Sequence, residues 1–181
     1  MTYKDIKATV SEFNEFVLHE RDGENNVLVM SFNTLPIVNL SKELKGETAI
    51  LKKLAQLSAD DDCTVLCGIQ MQLEERLYLS VAIAHKGKLI DIADRVACSD
   101  EDFYECTNKL KIYNTASGRL GVLIDTDAEL KNLWKKLMPS CDLIICICDR
   151  NRRARIRKLN EELNFPALYV DRSSKFWLFS R

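Results

Sequence analysis

Short apolar runs alternate with segments of helical periodicity along this chain, and this alternation limits the possible folds more than any other feature. The runs at 27–32, 64–69 and 143–148 are rich in Val, Ile and Leu. Their length and β-branched content favour buried strands. The segments at 46–57 and 149–163 carry apolar residues three and four positions apart, which predicts amphipathic helices. We therefore expect sheets covered by helices, of class α/β or α+β.

Two further pairs of apolar runs are joined by glycine-containing turns, which predicts hairpins at 76–96 and 110–124. The segment 175–179 is expected to close the chain as an edge strand. Near the N-terminus, apolar residues at 6, 10, 13 and 17 predict an amphipathic helix that ends near His19. Residues 127–138 predict another helix that begins at an Asp, and Asp149 is expected to cap the helix that follows the run 143–148.

At 181 residues the chain has the usual length of one domain, and we expect a single domain over residues 1–181. The net charge of −1 provides no long-range attraction to nucleic acid or to an anionic membrane. No apolar run approaches the roughly 18 residues that span a bilayer, so we expect a cytoplasmic protein without membrane contact. The seven cysteines lie largely in strand-like runs and are expected to be reduced, small hydrophobic residues.

The sequence offers little for a metal or a cofactor, and we expect neither. The two histidines, His19 and His85, are far apart, and no C-x-x-C pattern provides zinc-ligand spacing. The acidic run Asp60–Asp62 lacks the alternating ligands and the glycine of a calcium loop. A glycine-rich phosphate loop is also missing from the sequence.

The order of these segments resembles the carbon-nitrogen hydrolase (nitrilase) superfamily. The resemblance begins at "VLVMSF" and continues through "KGKLIDIADRV", "DFYE" and "CDLIICI" to about residue 172. Its most specific part is "IYNTASGRLGVLIDTD" at 112–127, which matches the family pattern around the nucleophile except that Asp125 stands at the position of the cysteine. The resemblance implies an αββα sandwich, here trimmed at both ends.

The resemblance also implies a site of four residues, of which this sequence keeps little. The nucleophilic cysteine corresponds to Asp125, the lysine to Arg95 and the second glutamate to Glu105. The base glutamate is expected just after the run 27–32, yet no acid occurs there before Glu43. A carboxylate is a poorer nucleophile than a thiolate, and Arg cannot donate a proton at ordinary pH. We therefore expect Asp125, Arg95 and Glu105 to be vestigial, in a domain with a binding, regulatory or structural role.

Several alternatives remain open at this point. An active amide hydrolase with rearranged residues could use Cys98 or Cys106 as its nucleophile. The chain could also assemble with an active homologue or bind a small molecule. The arginine-rich segment 149–163 lacks interleaved aromatic residues, which makes nucleic-acid binding the weaker interpretation. The resemblance implies a homodimer through the two C-terminal helices, with Trp134 and the arginines as candidate contacts.

Overall fold

The computed structural model describes residues 7–9, 26–32, 35–60, 63–98, 103–115, 118–173 and 176–179. The strands in these residues are β1 (Lys7–Thr9), β2 (Asn26–Met30), β3 (Val38–Asn39), β4 (Cys63–Leu73), β5 (Arg76–His85), β6 (Lys88–Asp94), β7 (Ile112–Thr115), β8 (Gly118–Ile124), β9 (Leu143–Cys148), β10 (Ala167–Asp171) and β11 (Phe176–Phe179). The helices are α1 (Leu40–Lys45), α2 (Ile50–Asp60), α3 (Lys131–Leu137) and α4 (Arg153–Leu163), and a 3-10 helix covers Asp125–Glu129.

The strands form two sheets of different connectivity. In sheet A the order is β1-β2-β4-β5-β6, with β3 also paired to β4, and in sheet B it is β11-β10-β9-β8-β7. The neighbours β8, β9 and β10 run parallel, whereas the outer strands of sheet B are antiparallel to them. Because parallel strands share one direction, the carboxyl ends of β8, β9 and β10 meet at the same edge of sheet B.

The two sheets pack face to face and each is covered by helices. Val29 and Leu66 of sheet A meet Leu120 and Ile145 of sheet B in the central core. The outer faces pack against helices: α2 covers sheet A, and α3 and α4 cover sheet B. Gly68 of β4 leaves no room for a side chain, since a Cβ there would lie 3.0 Å from the Phe32 amide nitrogen and 3.1 Å from Ile147 Cγ2 of sheet B. The chain is thus an αββα sandwich, as the sequence predicts.

Both hairpins are confirmed, and one shows why its turn sequence is needed. β5 and β6 are antiparallel and joined through Lys86 and Gly87, which have φ values of 49° and 75°. Two successive residues with positive φ form the type of turn that matches the twist of a hairpin. The antiparallel pair β7 and β8 forms the second hairpin, and β11 is an edge strand of sheet B. The helices predicted in 46–57 and 149–163 are also confirmed as α2 and α4.

Three local predictions are wrong. Lys7–Thr9 form a strand paired in parallel with β2, so the predicted N-terminal helix does not include them, and 10–19 lie outside the described residues. The segment 127–138 is divided between the 3-10 helix and α3, whose N-cap Leu130 makes no side-chain cap bond. Asp149 does not cap α4: it pairs with Arg172 at 3.0 Å, and Asn151 instead accepts from the amide of Arg153.

Candidate functional site

Asp125 directly follows β8, at the edge where the carboxyl ends of the parallel strands of sheet B meet. Its backbone φ is 49°, in the left-handed region. Asp tolerates this region better than most residues, but the conformation still costs about 1–2 kcal/mol. The residue is 4% exposed. A buried carboxylate on strained backbone persists only where its surroundings hold it in place.

Arg152 holds Asp125 through a bidentate ion pair. Its Nε donates to Asp125 Oδ1 at 2.7 Å and its Nη2 donates to Oδ2 at 3.0 Å. The remaining Nη1 donates to Glu129 at 2.6 Å, and Glu129 also accepts from Arg155 at 2.9 Å. The backbone of Arg152 is fixed as well, because its amide donates to the hydroxyl of Tyr169. Burial opposes the charge of Arg152, yet its two carboxylate partners raise its pKa above the ordinary value.

Arg95 approaches Asp125 from the other sheet. It follows β6, is 2% exposed, and its Nη1 lies 3.7 Å from Asp125 Oδ2. Its Nη2 donates to the carbonyl of Tyr104 at 3.4 Å and lies 3.5 Å from Cys98 Sγ. The structure thus brings two of the predicted site residues, Arg95 and Asp125, into contact between the sheets.

Glu105 does not join them. Its backbone bridges to Tyr78, and its amide donates to the carbonyl of Leu77 at 2.8 Å. The side chain is exposed and takes part in none of the ion pairs found among the described residues. Glu105 is therefore not one of the acids beside Arg95. Asp125, in contrast, is flanked by two guanidinium groups, those of Arg95 and Arg152.

Asp127 is a second buried acid, for which the sequence indicated no role. It lies near the cluster formed by Asp125, Arg95, Arg152 and Glu129. Its two carboxylate oxygens accept from the amides of Val96 and Ala97, each at 2.8 Å. Burial raises the pKa of Asp127 to about 6, although both amides and the charge of Arg95 pull the pKa down. Asp127 thus ties the segment after β6 to the 3-10 helix after β8 and fixes Arg95 next to Asp125.

Among the described residues, no acid lies where the resemblance places the base glutamate. Phe32 is buried in the core between the sheets, and Asn33 and Thr34 lie outside the described residues. Glu43 is used elsewhere: its oxygens accept from the amides of Ile50 and Leu51 at the start of α2. The acids that contact arginines at the cluster are Asp125 and Glu129, and both are saturated by guanidinium groups.

An open cleft of about 500 Å³ lies beside the cluster. It is lined by Glu129, Arg150, Asn151, Arg152, Ala154 and Arg155, which are polar or charged except for Ala154. Guanidinium groups suit carboxylate and phosphate ligands, but they cannot accept or donate a proton in catalysis near neutral pH. The cleft can therefore hold an anion or water, whereas its arginines provide neither a base nor an acid.

The cysteines fall into two groups. Cys98 and Cys106 form a disulfide, which corrects the prediction that all seven are reduced. Cys63, Cys67, Cys141, Cys146 and Cys148 are free and buried, as predicted. Among the described residues no group of three or more His, Cys, Asp or Glu side chains is placed to hold a metal ion. The described helices are each too short or too polar to span a membrane.

Trp134 is not exposed, although the sequence analysis names it as a candidate contact between subunits. Its side chain is fully buried against sheet B, and its Nε1 donates to the carbonyl of Ala128 at 2.9 Å. It stabilises the core of the protomer and is not available for contact with a second subunit. Exposed positions on this side include Lys135 and Lys136 of α3 and Arg155 and Arg157 of α4.

Comparison with solved structures identifies the fold. A glutamine-dependent NAD+ synthetase from Acinetobacter baumannii is 17% identical, with a TM-score of 0.60; the match covers 80% of this chain and 31% of that chain. Nit3 of Saccharomyces cerevisiae, a member of branch 10 of the nitrilase superfamily, is 14% identical, with a TM-score of 0.62 and coverage of 80% and 61%. An amidase from Nesterenkonia sp. AN1, with acrylamide added at its active-site cysteine, is 10% identical, with a TM-score of 0.61 and coverage of 80% and 64%.

This chain therefore has the fold of the carbon-nitrogen hydrolase (nitrilase) superfamily and spans less than two thirds of the length of each of these proteins. No protein-family model matches the sequence, and no curated protein is significantly similar to it. The fold prediction from "IYNTASGRLGVLIDTD" is confirmed, whereas the roles of Asp125, Arg95 and Glu105 and the single domain over 1–181 stay predictions.

Proposed function

We propose that this protein is a catalytically inactive nitrilase-like domain with a binding, regulatory or structural role. The observation that carries the proposal is the bidentate pair between Asp125 and Arg152, with Arg95 on the other side of the same carboxylate. By the sequence resemblance, Asp125 occupies the position of the nucleophilic cysteine. A carboxylate held by two guanidinium groups is a weak nucleophile, because its lone pairs are engaged and its charge is neutralised.

The other parts of the expected chemistry support the same proposal. Arg95 stands at the lysine position and cannot transfer a proton near neutral pH. Glu105 has an exposed side chain, away from the ion pairs of Asp125. Without a base, neither an attacking group nor a water molecule is activated. Restoring one residue should therefore not restore turnover.

Ammonia release from simple amides and nitriles tests this proposal. We expect none from the wild-type protein and none from Asp125→Cys, with the amidase from Nesterenkonia as the positive control. The assays are run with and without a thiol reductant, so that Cys98 and Cys106 are tested both as a disulfide and as thiols. Release by Asp125→Cys would contradict the claim that the site is lost at several positions. Release by the reduced wild type, abolished by Cys98→Ser or Cys106→Ser, would replace the proposal with the rearranged hydrolase.

A cytoplasmic homodimer is also part of the proposal. With Trp134 buried, the candidate contacts are the exposed arginines of α4, and Arg is enriched at interfaces. Light scattering at micromolar concentration should give twice the 20.8 kDa mass of the chain. A monomeric mass would contradict the dimer without affecting the proposal on activity.

A further inference from the structure

The disulfide between Cys98 and Cys106 is chemically distinct from the other five cysteines. Cys98 is exposed and Cys106 is half-buried, whereas the free cysteines are buried. Burial raises the pKa of the Cys141 thiol to about 11, and it raises those of Cys67 and Cys146 further. A thiol that stays protonated and covered is inert, because the thiolate is the reactive species. Thiol–disulfide chemistry is therefore limited to Cys98 and Cys106.

One cation, Arg95, lies beside Cys98, together with the carbonyl oxygen of Tyr104 at 3.2 Å from Sγ. Arg95 Nη2 lies 3.5 Å from Cys98 Sγ, and the guanidinium is buried. A fixed positive charge at this distance stabilises a thiolate relative to a thiol. Asp125 lies on the other side of Arg95, at Nη1, and its charge is already engaged by Arg152. Cys98 is thus both the more accessible sulfur of the pair and the one beside a cation.

The disulfide also fixes the segment 103–106 against the body of the protein. The amide of Glu105 donates to the carbonyl of Leu77 at 2.8 Å, and the amide of Thr107 donates to the carbonyl of Arg95 at 2.9 Å. The carbonyl of Tyr104 accepts from Arg95 Nη2. These bonds lie next to the cross-link, so breaking it should release them more readily than the core strands.

We propose that Cys98 and Cys106 are a reversible thiol–disulfide pair that exchanges with small disulfides, with Cys98 as the attacking sulfur and Cys106 as the resolving sulfur. In the reduced protein, the Cys98 thiolate attacks a small disulfide, forms a mixed disulfide and expels one small thiolate. The Cys106 thiolate then attacks Cys98 Sγ, closes the internal disulfide and expels the second. Two protein thiols are oxidised, one small disulfide is reduced to two thiols, and the two protein protons pass to them.

Oxidised glutathione at pH 7 tests the exchange on the reduced full chain, with alkylation and peptide mass spectrometry as the measurement. The wild type should lose two alkylatable thiols, Cys98 and Cys106, and retain no glutathione. Cys106→Ser should accumulate a glutathione adduct at Cys98. The adduct at Cys106 in Cys98→Ser should form about threefold more slowly, because Cys98 is exposed and lies beside the Arg95 guanidinium, whereas Cys106 is half-buried. Cys141→Ala is the matched control and should react like the wild type.

Three results would overturn the proposal. If the disulfide persists in excess reduced glutathione, it is a static cross-link. If Cys98 and Cys106 form no disulfide in oxidised glutathione, they are not a thiol–disulfide pair. Faster adduct formation at Cys106 than at Cys98 would reverse the assigned roles.

Hydrogen exchange on the wild type provides an independent measurement. Reduction should raise the exchange rates of the Glu105 and Thr107 amides and leave those of β8 unchanged. Equal rates at Glu105 and Thr107 in both redox states would show that the pair does not control this segment.

Discussion

Sheet B carries two bidentate arginine–aspartate pairs, one at each end of β8. At the carboxyl end, Arg152 holds Asp125 at 2.7 and 3.0 Å. At the amino end, Arg119 holds Asp142 at 2.8 and 3.2 Å. The side chains of the first pair are 16% and 6% exposed, whereas those of the second are 51% and 35% exposed. Both are bidentate pairs between a guanidinium group and a carboxylate. They differ mainly in their exposure to water.

This difference decides what each pair does for the fold. Water and salt screen the exposed pair, and either partner can be solvated when the other is removed. The buried pair has little access to water, so loss of one partner leaves the other charge with a single ionic partner, Arg95 for Asp125 or Glu129 for Arg152. Asp125 is further constrained by Arg95 and by its left-handed backbone. We therefore propose a structural role for the buried pair, at the position that the sequence resemblance aligns with a nucleophilic cysteine.

Arg95→Ala should change the stability of the buried end of β8 more than any other single substitution considered. This change removes a buried cation beside Asp125 and should lower the free energy of unfolding by about 3–5 kcal/mol. Urea unfolding measures the loss. Arg155→Ala is the matched control, since Arg155 also pairs with a carboxylate but is 75% exposed. If Arg95→Ala unfolds like the wild type, Arg95 is solvated and the cluster is not a buried network.

The second prediction concerns pH and Asp127, the other buried acid at the same end. Its folded-state pKa of about 6 exceeds the ordinary 3.8, so the folded state binds the proton more tightly than the unfolded state. Its contribution to stability is fully present below about pH 4 and is lost as the pH rises through 6, by about 3 kcal/mol. In Asp127→Asn this loss should disappear. Urea unfolding at pH 4 and pH 7 gives the difference, and equal differences in both proteins would contradict the assignment.

The smallest change in stability is expected for the exposed pair at the amino end of β8. Asp142→Ala removes the partner of Arg119, and the guanidinium then becomes hydrated. The melting temperature should fall by about 2 °C or less. Differential scanning calorimetry in low and high salt checks this, since screening should reduce the effect further. A fall as large as that of Arg95→Ala would remove the contrast between the two ends of β8.

Local patterns predicted the class of fold, and the family resemblance predicted the αββα sandwich and part of the cluster. The motif at 112–127 predicts the hairpin of β7 and β8 and places Asp125 after β8, and "IADRV" places Arg95 after β6. Both positions follow from strand ends, which periodicity and turn residues mark. The pairing of Lys7–Thr9 with β2 could not be read in this way, because the pairing partner is distant in sequence. Its apolar spacing indicated a helix, and the parallel pairing decided the outcome.

The partners of Asp125 were harder to predict for a related reason. Arg152 belongs to an arginine-rich stretch that resembles a solvated helix face. It reaches Asp125 because β8 and β9 are parallel neighbours with adjacent carboxyl ends. That strand order, taken from the family resemblance, is the signal that could have identified Arg152. Glu105 lies apart from the ion pairs of Asp125, because its backbone bridges to Tyr78 and its side chain is exposed.

If Arg152 holds Asp125 as a structural pair, the two substitutions are coupled in a double-mutant cycle. Asp125→Ala, Arg152→Ala and the double mutant are compared with the wild type by urea unfolding. We predict a coupling free energy of about 2–3 kcal/mol, since each single mutant deprives a buried charge of its bidentate partner, leaving Asp125 only Arg95 or leaving Arg152 only Glu129, and the double mutant removes both charges of the pair. A coupling below about 0.5 kcal/mol, as for an exposed surface pair, would contradict the claim.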